Sequence, residues 1–437
     1  MRLWLPGLMA LLLPLGCGDA ETSGLDGSAH DAGVILDAAP EMDAGSTPDL
    51  GTIDSGFDGG VLDIGVADFG TSDAGEGPDT GEFHTAAHPA YPRMMDQGMG
   101  VLSPARIVTI VATNDPMAGD LEAFDRTLAG SQWFATVTRD YGIAATATVA
   151  HVRGAAITHN LSSTEVEAYV TDTITANPSV APDGKSVYMF YLPNNVTIID
   201  EDYMPPEPNT DCSLYAGYHT MLGNGPDNWA VAQHCSFAAS QREQLDDLTL
   251  TGSHEIIESL TDPVDGFYFP VADDMRPWTS DIWGGFVDGY EETADLCEGS
   301  QIMEGMYLYQ RVWSIAAAEA SGDPCVPALS EPYYNTSAPQ GWYPITAGQT
   351  IQIPITGWST LPLEDWGIDA FDEGIGPLSC DLMLSSNMIN NGRVVMLSVT
   401  APANARAGDW GSFEVDSSRM GAGTDTYHLW PIGVYVR

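Results

Sequence analysis

Positive charge is scarce in this sequence: 14 Lys and Arg residues stand against 61 Asp and Glu residues, a formal net charge of −47. Lys185 is the only lysine. Such a surface repels nucleic acids and anionic membrane surfaces, because both are bound through Lys and Arg. We therefore expect no nucleic-acid partner, and we expect the acidic surface to attract divalent cations.

Several catalytic motifs and long apolar runs are also missing. The 437 residues contain neither a Gly-x-Ser-x-Gly nucleophile elbow nor a glycine-rich phosphate-binding loop, so nothing supports a serine hydrolase or an NTPase. The apolar run Leu3–Leu15 is shorter than the roughly 20 residues that a membrane-spanning helix needs.

Residues 1–17 instead predict a signal peptide. Arg2 precedes the apolar run, which ends in Leu-Pro-Leu-Gly-Cys17 and resembles a bacterial lipobox with an acylated cysteine, although Pro14 stands where leucine is usual. The alternative is an ordinary secretory signal with an incidental cysteine. Both predict export from a bacterial cytoplasm, either as a cell-envelope lipoprotein anchored in the membrane or as a secreted protein.

Residues 18–99 are rich in Asp, Gly, Ala, Ser, Thr and Pro, and no Lys or Arg occurs between Arg2 and Arg93. A segment of this composition buries too little apolar surface to offset the entropy lost on ordering. We therefore predict an acidic, disordered linker. A calcium-binding repeat is the alternative, but the Asp residues keep no fixed period.

Two folded domains are predicted after the linker. Residues 100–330 alternate strand and helix patterns, and this alternation predicts an α/β domain. The patterns include a buried strand at Arg106–Ala112, a helix that starts at Ser162 with a capping-box pattern, and a helix around Gln310–Ala320. Residues 331–437 contain short alternating strands such as Val394–Val399 and predict an all-β, sandwich-like accessory domain.

Export permits disulfides, and five cysteines follow Cys17. We favour the two local pairs Cys212–Cys235 and Cys297–Cys325, which leave Cys380 free. The spacing does not fix the connectivity.

The most informative motif is Ser253-His-Glu-Ile-Ile-Glu-Ser-Leu-Thr-Asp-Pro263. A helix here, which we expect Ser253 to cap, places His254 and Glu258 on one face, where both can bind one metal ion. Glu255 occupies the position of the general base in an H-E-x-x-H metallopeptidase, while Glu258 replaces the second histidine.

Further ligands are predicted in Glu292-Thr-Ala-Asp295-Leu-Cys297, where Glu292 and Asp295 are one helical turn apart. Either carboxylate completes a Zn²⁺ site whose last ligand is water. Two carboxylates and one imidazole cancel the charge of Zn²⁺, which predicts a slow hydrolase and leaves Ca²⁺ or Mn²⁺ as alternatives. His219 and His234 are candidates for stabilising an oxyanion or for metal ligation.

Several segments follow one order along residues 100–330: Trp133, Tyr141-Gly142, Leu161–Glu165, Val187–Thr197, Cys212 with Gly217–His219, and Ser253–Pro263. This order resembles bacterial relatives of the plant Exordium, or phosphate-induced, proteins. Those bacterial proteins often carry H-E-x-x-E-x-x-T-D-P followed by G-x-E-x-x-D-x-C, which Glu292, Asp295 and Cys297 match here. The resemblance implies an extracellular protein and brings no activity with it, and the acidic linker and lipobox resemble those of myxobacterial-type exported lipoproteins.

Two functional hypotheses follow. The first is an exported zinc-dependent hydrolase with a zincin-like α/β domain, similar to a metallopeptidase, in which Glu255 is the general base and a peptide or other extracytoplasmic molecule is the substrate. The second is a non-catalytic, Exordium-like cell-surface protein with a structural metal, whose sandwich-like domain binds a partner or glycan.

Overall fold

The computed structural model describes residues 82–437, except for 93, 97, 99, 201–206, 210–211, 213–215, 224, 236–239, 264–266, 269–277, 279–281, 284–291 and 420–426. The predicted signal peptide, the lipidation site at Cys17 and most of the predicted linker at 18–99 lie outside the described residues. Glu82–Arg437 belong to one compact unit.

The first part of this unit is mixed α/β. Its strands are β1 Met95–Asp96, β2 Arg106–Ala112, β3 Thr148–Gly154, β4 Leu161–Ser162, β5 Ser186–Tyr191, β6 Ile198–Asp200, β7 Glu207–Pro208, β8 Gly217–Met221, β9 Asn228–Ala232, β10 Phe267–Tyr268, β11 Gln301–Glu304, β12 Tyr307–Gln310, β13 Val312–Trp313 and β14 Cys325–Val326. Its helices are α1 Ala118–Leu128, α2 Gln132–Val137, α3 Ser163–Ala176, α4 Gln241–Thr261 and α5 Ile315–Glu319.

A five-stranded sheet in the order β3-β2-β5-β9-β8 organises this part. The first four strands are parallel, whereas β8 pairs antiparallel with β9 at the edge. Alternate residues of β5 serve two cores: Met189 packs on the side of α1 and α4, and Phe190 packs on the side of α3. Both faces of the sheet are therefore covered, which explains why β5 is buried along its whole length.

Helix α4 crosses the first of these faces and packs against β5, β8, β9 and β12. It begins at Gln241, where the Ser240 side chain accepts a hydrogen bond from the Glu243 N–H in a capping box. The expectation that Ser253 caps the helix is wrong. Ser253 lies in the middle of α4, where its hydroxyl donates to Leu250 O at 2.7 Å and accepts from Gln310 N at 2.9 Å.

The second part of the unit consists of strands. They are β15 Tyr334–Ser337, β16 Trp342–Ile345, β17 Thr350–Ser359, β18 Trp366–Ile375, β19 Asp381–Leu384, β20 Met388–Ile389, β21 Val394–Thr400, β22 Trp410–Ser418 and β23 His428–Val436. One sheet has the order β15-β17-β21-β19 and the other β16-β23-β22-β18-β20. Both sheets contribute to a shared core, for example through Leu397 from the first and Phe413 from the second.

An aromatic cluster connects the two parts. The Tyr91 ring packs edge-on against Trp313 at 5.3 Å between centroids and against Trp358 at 6.0 Å, and Trp283 packs against Trp430 at 5.5 Å. Tyr91 belongs to the end of the segment that composition placed in the linker. Because Tyr91 is buried here, the packed part of the chain includes residues upstream of 100.

Both favoured disulfides are present, Cys212–Cys235 and Cys297–Cys325, and Cys380 is a buried free thiol. Two disulfides are typical of an oxidising, extracytoplasmic environment. Within the described residues, no helix has the length and apolar character needed to cross a membrane.

Candidate metal centre

The motif of helix α4 is buried against the five-stranded sheet. Ile256, Ile257 and Leu260 are fully buried in the core and fix the rotation of the helix. This rotation leaves the side chains of His254 and Glu258 in a small polar space, with only 8% and 2% of their surfaces exposed. Charged groups are rarely buried to this extent without partners, so the partners define what the site can do.

His254, Glu258 and Asp295 form the most compact set of potential metal ligands. His254 Nε2 lies 2.8 Å from Glu258 Oε2 and 3.4 Å from Asp295 Oδ1. Both His254 Nε2 and Asp295 Oδ1 are buried, and among the described residues neither makes a hydrogen bond. Two such ligand atoms beside the Glu258 carboxylate are the arrangement that a cation satisfies, because it binds all three groups at once.

The segment around Asp295 is held against α4 by its backbone. Asp295–Cys297 form a 3-10 turn, and the preceding residue, Ala294, donates its N–H to Glu258 Oε1 at 3.1 Å. Asp295 Oδ2 accepts from Glu292 N at 3.2 Å, which orients the carboxylate. The Cys297–Cys325 disulfide ties the end of the turn to β14.

Gln310 was not recognised from the sequence, although it completes the surroundings of His254. Its side-chain oxygen accepts from His254 Nδ1 at 3.0 Å, and its Nε2 donates to Ala294 O at 2.7 Å. With Nδ1 donating to Gln310, Nε2 is the nitrogen that faces Glu258 and Asp295, and it is the atom through which His254 would bind a metal. The sequence feature that points to Gln310 is the β-hairpin pattern around Gly305-Met306, whose second strand ends at Gln310.

His219 approaches the same space from the edge strand β8. Its Nδ1 lies 3.4 Å from Glu255 Oε2 and 3.9 Å from Glu258 Oε2, and its Nε2 lies 3.5 Å from Glu292 Oε2. The donor atoms of His219, Glu258 and Glu292 lie within 4.8 Å of one another. Glu258 is thus shared between two groups of potential ligands.

Glu255 stands beside this pair of groups, and the backbone of β8 approaches it closely. A Cβ atom at Gly217 would lie 2.7 Å from Glu255 Oε1 and 2.5 Å from Val231 O. Gly217 therefore makes room for the Glu255 carboxylate. This carboxylate is a candidate general base next to the cluster that the two ligand groups form.

Burial and like charges dominate the electrostatics. Burial raises the pKa of Glu258, the Asp295 carboxylate raises it further, and the result is about 7 despite the opposing effect of His254. Burial alone would lower the pKa of His219, but the carboxylates of Glu292, Glu255 and Glu258 raise it to about 10. The cluster therefore holds protons strongly, because it has an excess of negative charge.

A further carboxylate, Glu298, adds to this excess. Burial and the charge of Asp295 raise its pKa to about 8, and its Oε1 has no hydrogen-bond partner in the described part of the chain. In the part of the chain that the structure describes, no Lys or Arg forms an ion pair with Glu258, Glu292 or Asp295. Sequence reasoning did not single out Glu298, because a lone acidic residue after a cysteine carries no specific signal.

His234 is not part of either ligand group. It follows β9 and is buried, and neither ring nitrogen has a hydrogen-bond partner among the residues that the structure describes. Burial lowers its pKa to about 4, so the ring is neutral near pH 7. A role for His234 in catalysis or ligation stays a prediction.

The chain was compared with known proteins. No family model and no curated protein matches it. One similar solved structure concerns T-cell specificity and activation by the superantigen toxic shock syndrome toxin-1, with 16% identity, a TM-score of 0.17, and coverage of 24% of this chain and 100% of that chain.

Two glycosidases give similar scores. A family 123 glycoside hydrolase from Clostridium perfringens has 11% identity and a TM-score of 0.15, with 24% of this chain and 27% of that chain covered. A beta-glucosidase from Listeria innocua has 10% identity and a TM-score of 0.19, with 79% and 48% covered. The matches span less than half of either glycosidase, and TM-scores this low carry no argument about fold or function.

Proposed function

We propose that this protein is a metal-dependent hydrolase, similar to a metallopeptidase, that acts outside the cytoplasm. The observation that carries the proposal is the convergence of His254 Nε2, Glu258 Oε2 and Asp295 Oδ1, two of which are buried without a hydrogen bond. Nitrogen and carboxylate ligands in this number suit Zn²⁺, with Ca²⁺ or Mn²⁺ as the oxygen-preferring alternatives.

A bound cation would supply a Lewis acid that polarises a carbonyl group and brings the pKa of its bound water below the bulk value of about 15.7. Glu255 takes the proton of the water whose oxygen attacks the carbonyl carbon. The same carboxyl group then returns that proton to the leaving amine as the bond to carbon breaks. The imidazole of His219, 3.4 Å from Glu255, is placed to donate a hydrogen bond to the developing oxyanion.

We further propose that the first part of the unit is a zincin-like domain. It is supported by helix α4, which carries the motif across the sheet, and by strand β8, which brings His219 to the same space. The export signal and the lipid on Cys17 are part of the same proposal, and the two disulfides support it because they need an oxidising compartment.

One observation favours the alternative of a structural metal in a non-catalytic surface protein. The Glu255 side chain is only 3% exposed, so a substrate would need an opening of the site to reach it. If Glu255 is a catalytic base, replacing it by a neutral side chain lowers the rate of hydrolysis. If it is a structural carboxylate, the protein has no such rate to lose, so this substitution distinguishes the two functions.

The test replaces Glu255 by Gln in the full chain and measures hydrolysis of casein and of peptide pools together with bound zinc. We expect Glu255→Gln to lower the rate by about 10²-fold or more, as for loss of a general base, while zinc stays bound. Glu167→Gln, at an exposed position of α3, is the matched control and keeps full activity. Hydrolysis unaffected by Glu255→Gln would overturn the hydrolase proposal.

A further inference from the structure

The cluster provides ligands for a second cation next to the first. Glu258 Oε2 lies 2.8 Å from His254 Nε2 and 3.9 Å from His219 Nδ1, so one carboxylate oxygen faces both imidazoles. We propose that Glu258 bridges two divalent cations, one held with His254 and Asp295 and the other with His219 and Glu292. This inference deepens the proposed function and rests on it.

The separations between donor atoms fit two coordination spheres. Donors that each lie about 2.1 Å from one cation are roughly 3 to 3.5 Å apart, and cations in two-metal sites are about 3.5–4 Å apart. In the first set, His254 Nε2 and Asp295 Oδ1 are 3.4 Å apart. In the second, His219 Nε2 and Glu292 Oε2 are 3.5 Å apart.

The hydrogen bond that Oε1 of Glu258 accepts explains why Oε2 is available for bridging. Oε1 accepts the Ala294 N–H at 3.1 Å, and this bond fixes the rotation of the carboxylate. Oε2 then points away from the Ala294 backbone, towards His254 and His219. With 2% of its side chain exposed, Glu258 has little contact with water, so these protein groups determine what its Oε2 binds.

The charge of the cluster is the independent argument. Five carboxylates interact here, those of Glu255, Glu258, Glu292, Asp295 and Glu298, with two imidazoles between them. One divalent cation would leave three negative charges uncompensated in a largely buried space, whereas two cations leave one. Uncompensated buried charge is costly, so the second cation stabilises the deprotonated cluster.

A second cation would also compensate for the low Lewis acidity of a one-metal site. Zn²⁺ with two carboxylates and one imidazole has no net charge and acidifies water only weakly. Two cations can act on the attacking oxygen and on the substrate oxygen separately. His219 would then hold the second cation, which would supply the charge that stabilises the oxyanion, and Glu255 would keep the proton-accepting role.

The experiment measures zinc per chain after equilibration with Zn²⁺ and a wash with a weak chelator. It uses the full chain and the variants His219→Ala, Glu292→Gln and His254→Ala. His159→Ala is the matched control, because this imidazole is 66% exposed and lies outside the cluster. The wild type and all variants contain the acidic residues 18–99. Zinc bound to this segment is therefore the same in each protein and cancels when their zinc contents are compared. Circular dichroism checks that each variant is folded.

We expect two ions in the wild type and in His159→Ala, and the loss of one ion in His219→Ala and in Glu292→Gln. A wild type with one ion, unchanged by His219→Ala but lost in His254→Ala, would overturn the second site and leave the proposed function standing. A wild type without zinc would overturn both. Wild type loaded with Mn²⁺ gives a second readout: a spin-coupled EPR signal supports the bridge, and isolated Mn²⁺ signals contradict it.

Discussion

The Nδ1 atom of His254 lies 3.0 Å from Oε1 of Gln310, a residue 56 positions further along the chain. This bond places the proton on Nδ1 and leaves Nε2 directed at Glu258 and Asp295. The hairpin β11–β12 therefore orients the imidazole of the motif.

Replacing Gln310 by Ala should weaken zinc binding by about 10- to 100-fold, the usual effect of losing a partner of a metal-binding histidine. The imidazole would lose the partner that fixes its orientation and tautomer. Competition with a chromogenic chelator measures the affinity, and Gln349→Ala, at an exposed turn, is the control. An unchanged affinity in Gln310→Ala would show that His254 is not oriented through this bond.

Gly217 is required where β8 passes Glu255. In Gly217→Ala, the new Cβ would meet Val231 O at 2.5 Å and Glu255 Oε1 at 2.7 Å, so the strand must shift. We expect a loss of about 1–3 kcal/mol in the free energy of unfolding, together with reduced activity. Gly225→Ala is the matched control, since its nearest neighbour would be 4.0 Å away. Equal stability of the two variants in urea denaturation would contradict the close approach.

The Cys297–Cys325 disulfide should act on both stability and the site. Its sequence separation of 28 residues implies that Cys297→Ser with Cys325→Ser lowers the free energy of unfolding by about 3 kcal/mol. Because Cys297 ends the turn that begins at Asp295, zinc affinity should fall as well.

The other disulfide provides the comparison for this experiment. Cys212–Cys235 has a sequence separation of 23 residues, so its removal should cost a similar free energy of unfolding. It ends no turn that carries a ligand of the first site, and we expect a smaller change in zinc affinity. Equal losses of affinity in the two double variants would argue against a specific role of Cys297–Cys325.

Asp125 should make stability depend on pH away from the metal centre. Burial raises its pKa to about 7, although Thr109 and Tyr191 donate hydrogen bonds to it. The unfolded pKa is about 3.9, so the folded state binds the proton more tightly, and stability falls as pH rises from about 4 through 7.

Asp125→Asn should remove this contribution, about 4 kcal/mol between pH 4 and pH 8. Denaturant unfolding at several pH values measures it, and Asp172→Asn, at an exposed position of α3, is the control. If the free energy of unfolding changes with pH equally in Asp125→Asn and in the control, Asp125 is ionised in the folded state at all these pH values.

The main elements around the site could be predicted from the sequence, because the spacing of apolar residues indicates which face of a strand or helix is buried. The buried strand at Arg106–Ala112 has the predicted bounds, and the helix at Ser163–Ala176 has the expected capping box. His254 and Glu258 share a helix face because four residues nearly complete one turn. The approach of Asp295 to His254 was one of two options that spacing left open.

The parts that were not predicted depend on tertiary contacts. Helix α4 extends back to Gln241 because Leu245 and Leu248 are buried, although polar residues and Gly252 interrupt the apolar pattern. A helix was expected around Gln310–Ala320, but Gln310 ends strand β12 and α5 covers only Ile315–Glu319. The aromatic alternation of Tyr307 and Tyr309 favours the strand, because both rings pack around Phe124.

The most direct test of the account is a crystal structure of the zinc-loaded protein with anomalous data at the zinc absorption edge. We predict an anomalous peak about 2.0–2.2 Å from His254 Nε2, from a Glu258 oxygen and from an Asp295 oxygen. A well-ordered site without such a peak, at zinc concentrations that saturate the protein, would contradict the metal centre on which the proposed function depends.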